Sequence, residues 1–340
     1  MTRRWVTRVA LTAACVLAIV VVAGASIEGL MRYRAARDYP APGRLVDVGG
    51  RRLQIDCRGS GSPTVVLESG LDNLGSLSWA AVHDSLARTT RVCAYSRAGM
   101  LWSDPAPALF DARQVARDLH AALTTSGETA PWVMVGHSLG GPYVVLFTSL
   151  YGAEVAGLVL VDGSHPAQFA RFREATGKSM QPTTGAMAIG SALAWTGIVR
   201  LASGGAAPST WPAVADEVPR AYLPSSVEAL RREADAISAT LDAAGRVRQL
   251  GSRPLVVLTA TAKASPAMLA AEGITRAQSD RMQAAWETLQ ADEATWSIGG
   301  QHQRVPNASH CIQFDRPAVV IAAVRDVVAR VRATHGTSPQ

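Results

Sequence analysis

Ser138 lies in the stretch VMVGHSLGGPY, Val133 to Tyr143, between Gly136 and Gly140. A serine hydroxyl is a poor nucleophile at neutral pH and needs a base within hydrogen-bond reach to attack a carbonyl. Gly-x-Ser-x-Gly spacing gains meaning when a strand leads into it and a helix leaves it. Here the apolar run WVMVG, 132–136, precedes the serine, and a helical pattern runs from Leu139 to about Tyr151. Such a sharp turn forces the serine into a strained backbone, and the flanking glycines leave room because they lack Cβ. The new helix also begins with free N–H groups that favour developing negative charge. Nucleophilic acyl transfer is the chemistry this implies. Seven histidines compete for the part of base.

The elements that must position these groups read as alternating strands and helices. Strand-like runs occur at 44–48, 52–57, 64–69, 91–96, 132–136, 157–162, 254–260 and 302–305, with helical patterns at 78–88, 139–151 and 316–331. Apolar strands without alternation, separated by helices, predict an α/β fold with a mostly parallel sheet covered on both faces. Between about Pro166 and Ser252 the composition shifts to Ala, Gly, Met and Trp with no clear strand, which predicts a helical cap inserted after the sixth strand. The expected layout is a membrane anchor or signal peptide at 1–30, a linker at 31–43 and a first core segment at 44–165. The cap at 166–252, a second core segment at 253–333 and a tail at 334–340 complete it.

From residue 44 to 331 the chain resembles the α/β-hydrolase fold superfamily, with the elements in the expected order. TVVLESGLDNLGSLSW resembles the loop after the third strand, and RVCAYSRAGMLWSDP resembles the Asp-Arg-x-Gly-x-Gly-x-Ser segment. VMVGHSLGG resembles the nucleophile elbow, and VPNASHCIQFDRP the histidine loop before the last helix. The resemblance implies Ser138 as nucleophile. Its chain order of Ser, acid, His sets aside His83 and His120. His137 adjoins the nucleophile and should point elsewhere, and His335 lies in the polar tail. His302 opens the last strand, whereas His310 follows it, where ligands of such sheets gather; His310 is the implied base. The acid usually follows the seventh strand, but LTATAKASPAML has no carboxylate before Glu272. Asp162 ends the sixth strand, where the acid of haloalkane dehalogenases in the same superfamily sits, so Asp162 is the expected acid with Glu272 as alternative. A capping role for Asp162 stands beside it. The backbone N–H groups of Leu71 and Leu139 are the implied oxyanion donors. Three positions depart from the pattern: Ser69 where His is usual, Ser96 where Asp is usual, and Leu101 where Gly is common.

Charge and targeting complete the sequence reading. The net charge is +6, but residues 1–37 hold six arginines against Glu28 alone, so the remainder carries about one positive charge and no nucleic-acid footprint. Val9 to Ile27 is uncharged, and at ~1.5 Å per residue such a helix spans roughly 28 Å, about a bilayer core. An uncleaved anchor with the domain outside the cytoplasm is expected, with signal cleavage near Ala23–Ala25 as rival. Cys57 and Cys93 each fall in a predicted strand and either pair or remain buried thiols. No metal-ligand spacing of Cys or His occurs, and the resemblance implies no cofactor. The expected activity is hydrolysis of a carboxylic ester or related acyl compound on a small-molecule substrate. The alternatives are an aminopeptidase or amidase of the prolyl type and a non-catalytic, membrane-tethered binding protein of the same fold.

Overall fold

The computed structural model describes residues 2–105, 110–202, 208 and 210–335. Eight strands form one sheet: β1 (Arg44–Asp47), β2 (Arg52–Arg58), β3 (Thr64–Glu68), β4 (Val92–Ser96), β5 (Trp132–His137), β6 (Val155–Val161), β7 (Leu255–Ala260) and β8 (Gly300–Val305). Their order is β1-β2-β4-β3-β5-β6-β7-β8. β2 runs antiparallel to both its neighbours, and from β4 to β8 every pairing is parallel. The helices are α1 (Thr2–Asp38), α2 (His83–Ala87), α3 (Ala112–Thr125), α4 (Gly140–Leu150), α5 (Gln168–Thr176), α6 (Gly185–Leu193) and α7 (Ile198–Ala202). They continue as α8 (Val214–Asp235), α9 (Ile237–Ala244), α10 (Pro266–Glu272), α11 (Arg276–Ala294), α12 (Ile312–Asp315) and α13 (Pro317–His335).

The central strands β3 to β7 are buried on both faces, and their two-residue alternation sorts side chains between two cores. Trp132 and Met134 of β5 join α3, α4 and α9 on one face. Val133 and Val135 join α2 and α13 on the other. Between β6 and β7 the described residues form only helices, α5 to α9. The predicted strands and the α/β class therefore match the architecture. The helix expected over 78–88 is split into a 3₁₀ turn, Gly75–Trp79, and the short α2. The last helix runs on to His335, so the tail expected from 334 begins inside it, and 336–340 lie outside the described residues.

α1 continues unbroken to Asp38, so the first part of the segment expected as a linker at 31–43 is helical. Residues 31–38, MRYRAARD, are mostly good helix formers, and Arg32 Nε bonds Glu28 Oε1 at 2.8 Å one turn back. Only the Tyr39-Pro40 step, where proline disfavours the helical region for the residue before it, ends the run. Cys57 and Cys93 face each other across β2 and β4 and are joined by a disulfide. Of the two sequence readings for these cysteines, the structure has the bonded one.

Candidate active site

β5 delivers Ser138 to the carboxyl edge of the sheet, and α4 starts immediately after it. Ser138 has φ 53°, a left-handed backbone held by hydrogen bonds on both sides. Its N–H donates to Val161 O (3.2 Å), and its carbonyl accepts from Gly141 N (2.9 Å) and Ser164 N (2.8 Å). The flanking glycines serve close approach. A Cβ on Gly136 would lie 2.5 Å from Gly140 O, and one on Gly140 would lie 2.5 Å from Glu68 O. Larger residues there would push α4 off the sheet.

Asp162 follows β6 with φ 48°, a second strained residue beside the first. Its carboxylate Oδ1 accepts from Ala260 N (2.9 Å) and from the Trp286 indole Nε1 (2.8 Å). Oδ2 faces His310 Nδ1 at 2.7 Å. Because the carboxylate accepts, Nδ1 carries the proton, and Nε2 is left as the basic nitrogen. Asp162 thus bonds His310 directly, beyond the capping part weighed from sequence. Glu272, the alternative acid, is exposed at the end of α10 on the wall of the same cavity. Nδ1 of His310 is already taken.

His310 lies between β8 and α12, and its loop is pinned at several points. Ala262 N donates to Ala308 O (2.9 Å), Ser309 N donates to Asp315 Oδ2 (2.7 Å), and His137 Nε2 donates to the His310 carbonyl (3.0 Å). The two rings lie 4.8 Å apart. Burial, with the charge of His310 in addition, pushes His137 down to about 3, so it stays neutral and acts as a fixed donor. As expected, its side chain does not join Ser138; that it props the histidine loop was not foreseen. Burial works against charge on His310 itself, but the hydrogen bond and charge of Asp162, with the charge of Asp72, hold it above the ordinary imidazole value. The ring side chain is nevertheless 51% exposed, because one edge opens into the cavity.

That cavity, about 500 Å³, is lined by Ser138, Asp162 and His310 together with Leu71 and Leu139. Phe169, Phe172, Met180, Ile237, Met268 and Trp286 give it a largely apolar wall. Behind Asp162, Glu293 is fully buried, and burial plus the Asp162 charge push its carboxyl well above the usual range.

Arg97 organises the loop that carries Leu71. Its Nη1 donates to the Ser69 carbonyl (2.8 Å), the Ser69 hydroxyl (2.9 Å) and Glu68 Oε1 (2.6 Å), and its Nη2 donates to Gly70 O (2.6 Å). Nε and Nη2 also hold both oxygens of Glu233, on α8, at 2.8 Å each. The Tyr95 hydroxyl donates to the other oxygen of Glu68. The three departures have places in this frame. Ser69 accepts from Arg97, Ser96 donates to Gln54 Oε1 (2.8 Å), and Leu101 takes φ 48° where the resemblance expects glycine, its N–H bonded to Ser226 Oγ (3.0 Å).

The arrangement of strands and loops has relatives. The structure is similar to an esterase from Thermogutta terrifontis (20% identity, 85% of this chain and 98% of that one, TM-score 0.58). It is also similar to an enol-lactonase from Burkholderia xenovorans LB400 (19%, 84% and 100%, TM-score 0.58) and to a putative epoxide hydrolase from Pseudomonas aeruginosa (20%, 87% and 98%, TM-score 0.60). At such identities the likeness is one of fold. Among curated sequences, 126 residues are 32% identical to a probable transporter, efuK, of Hormonema carpetanum (35% of this chain, 18% of that protein). A stretch of 132 residues is 24% identical to the uncharacterized protein YbdG of Bacillus subtilis (38% of this chain and 41% of that protein). The chain spans less than half the length of these curated relatives. The sequence profile of the alpha/beta hydrolase fold, by contrast, matches residues 63–317, from the start of β3 to the start of the last helix. With that match and the elbow, sheet order and histidine loop all in register, the chain belongs to the alpha/beta hydrolase fold family.

Proposed function

We propose that the chain is a serine hydrolase that cleaves a carboxylic ester or related acyl compound through an acyl-enzyme. The observation that carries this reading is the 2.7 Å contact between His310 Nδ1 and Asp162 on the cavity that Ser138 also lines. Ser138 Oγ attacks the carbonyl carbon while His310 Nε2 takes its proton. The oxyanion is held by the N–H groups of Leu71 and Leu139. Collapse of the tetrahedral species expels the alcohol, which takes the proton from Nε2. Water, deprotonated by the same nitrogen, then attacks the acyl-serine and releases the acid. Asp162 orients the ring and stabilises its charged form, and Glu272 is left without a catalytic part. The esterase and enol-lactonase among the similar folds agree with an acyl substrate.

In the same reading α1 is a retained membrane anchor, with 44–165 and 253–333 as the catalytic core outside the cytoplasm and 166–252 as its cap. Support comes from an 18-residue window of mean hydropathy 2.5 and from the Cys57–Cys93 disulfide, which suits an oxidising compartment. The end of α1 and the residue after it are tied to the cap, since Glu28 binds Arg200 at 2.9 Å and the Tyr222 hydroxyl donates to Tyr39 O at 3.1 Å; both contacts lie beyond Ala23–Ala25 and are common to the retained and the cleaved chain.

A fluorophosphonate probe tests the activity. Wild type is expected to be labelled and Ser138→Ala not, and the same pair should differ on a panel of p-nitrophenyl esters. Failure of well-folded wild type to label would leave a binding protein of the same fold. Cleavage of aminoacyl anilides without esters would turn the assignment to an amidase.

A further inference from the structure

Exposed apolar side chains are unevenly spread over the domain. Outside α1, ten large hydrophobic residues are exposed among the described residues, and six of them fall between 189 and 214. Ile189 is 65% exposed, Trp195 53%, Ile198 48% and Leu201 88%. Charge is missing from the same segment: from 179 to 215 Arg200 is the sole charged residue, and it binds Glu28 on α1. A soluble surface of this size would ordinarily be interspersed with charges, and exposed apolar patches of such extent mark contact with a partner or a membrane.

The position of α1 identifies the occupant. Gly24 touches the turn between α6 and α7 backbone to backbone, since a Cβ on Gly24 would lie 2.4 Å from Thr196 O. Gly24 is three residues inside the uncharged run that ends at Ile27, about 4.5 Å along a helix axis. Wherever the apolar part of α1 meets the bilayer, α6, the following turn and α7 meet it too. We propose that the α6–α7 face of the cap is a membrane-docking surface, with Ile189, Trp195, Ile198 and Leu201 inserted into the headgroup and upper acyl region of the bilayer that holds α1. This rests on the anchoring reading given above. The expected depth, about 5–10 Å, is that of an interfacial apolar helix, and a tryptophan at this level matches the membrane–water boundary. Met180 and Pro182, earlier in the same uncharged segment, line the catalytic cavity.

The test uses the full chain carrying Cys15→Ser, at one copy per phosphatidylcholine/phosphatidylglycerol nanodisc. The remaining free thiol, Cys311, is half-buried, and the Cys15→Ser chain without an introduced cysteine gives the background labelling to subtract. An environment-sensitive fluorophore is placed on Leu201→Cys, on Leu17→Cys within α1, and on Ile298→Cys, which is exposed on the loop before β8. Lipids bearing a shallow spin label should quench Leu201→Cys several-fold more than Ile298→Cys, with Leu17→Cys quenched by deeper spin labels. If Leu17→Cys is quenched and Leu201→Cys behaves like Ile298→Cys, the anchor stands and the docking surface is overturned. If neither is quenched, both fall. A blue shift of Leu201→Cys only at two copies per disc, without lipid quenching, would assign the face to a second copy and overturn the proposal.

Discussion

Asp162→Asn separates the proposed triad from its alternatives because the surrounding donors dictate how the amide must sit. Oδ1 receives two N–H groups, from Ala260 and Trp286. An asparagine has one carbonyl oxygen, and turning its NH₂ toward those donors would set N–H against N–H twice. The amide therefore presents its oxygen to Ala260 and Trp286 and its NH₂ to His310. Nδ1 must then accept, which moves the ring proton to Nε2, where the base should be vacant. The wrong tautomer in an otherwise preserved site costs about 10⁴ in kcat, about 5.4 kcal/mol at ~1.36 kcal/mol per decade. A second consequence is electrostatic. Losing the Asp162 charge leaves burial to dominate His310, so the acid limb of any residual activity should shift from above the ordinary imidazole value to below it. Steady-state hydrolysis of a p-nitrophenyl ester between pH 4 and 9 reads both effects, with Glu272→Gln as comparison. Activity within about tenfold of wild type, less than ~1.4 kcal/mol, would refute the tautomer argument. An equal loss in Glu272→Gln would move the acid to α10.

Trp286→Phe removes one of the two donors on Oδ1 and leaves Ala260 N in place. A hydrogen bond to a charged acceptor contributes about 1.5–3 kcal/mol, so kcat should fall by about 10- to 100-fold with Ser138 still reactive to the phosphonate. The wild-type acid limb of kcat/KM should lie above the ordinary imidazole pKa, because Asp162 and Asp72 outweigh burial at His310; a limb below it in pH-rate measurements would contradict the described electrostatics. Glu68 is pushed by burial up to about 7, so an unfolded chain releases its proton from about 4.3 upward while the folded one retains it. Its contribution to stability should therefore decline between about pH 4.3 and 7, by on the order of 3 kcal/mol, and denaturant unfolding should show a shallower slope in Glu68→Gln. Cys57→Ala with Cys93→Ala opens a crosslink spanning 36 residues, which should cost about 3–4 kcal/mol in the same unfolding experiment.

The strands, the nucleophile turn and the histidine loop were legible because each is written locally, in a few consecutive residues whose types reveal backbone shape. Asp162 was legible through its place at the end of β6. Trp286 was not, since it reaches Asp162 across 124 positions and its helix presents an ordinary aromatic on a packed face. His137 was read only as a neighbour of the serine; its partner, the His310 carbonyl, comes from 173 residues away. Arg97 fell within a recognised segment, but what it binds depends on Glu233 in the cap, the part of the chain with the weakest pattern. The helical state of 31–38 was less legible: the Pro/Gly cluster YPAPG that closes the segment suggests a linker, while Glu28 braces the helix both locally, through Arg32, and across the fold, through Arg200.

Because a single guanidinium grips both a helix of the cap and the two peptide carbonyls just before Leu71, α8 cannot swing away without dragging with it the Leu71 amide proposed to hold the oxyanion. Substrate admission by wholesale hinging of the cap would dismantle the machinery it is meant to serve. Entry should instead use the side bounded by Met180, Pro182 and Met268, where the chamber wall is free of that tether. The covering layer is thus moored to the Leu71 loop at α8, while the Met180 side carries no such link to Arg97.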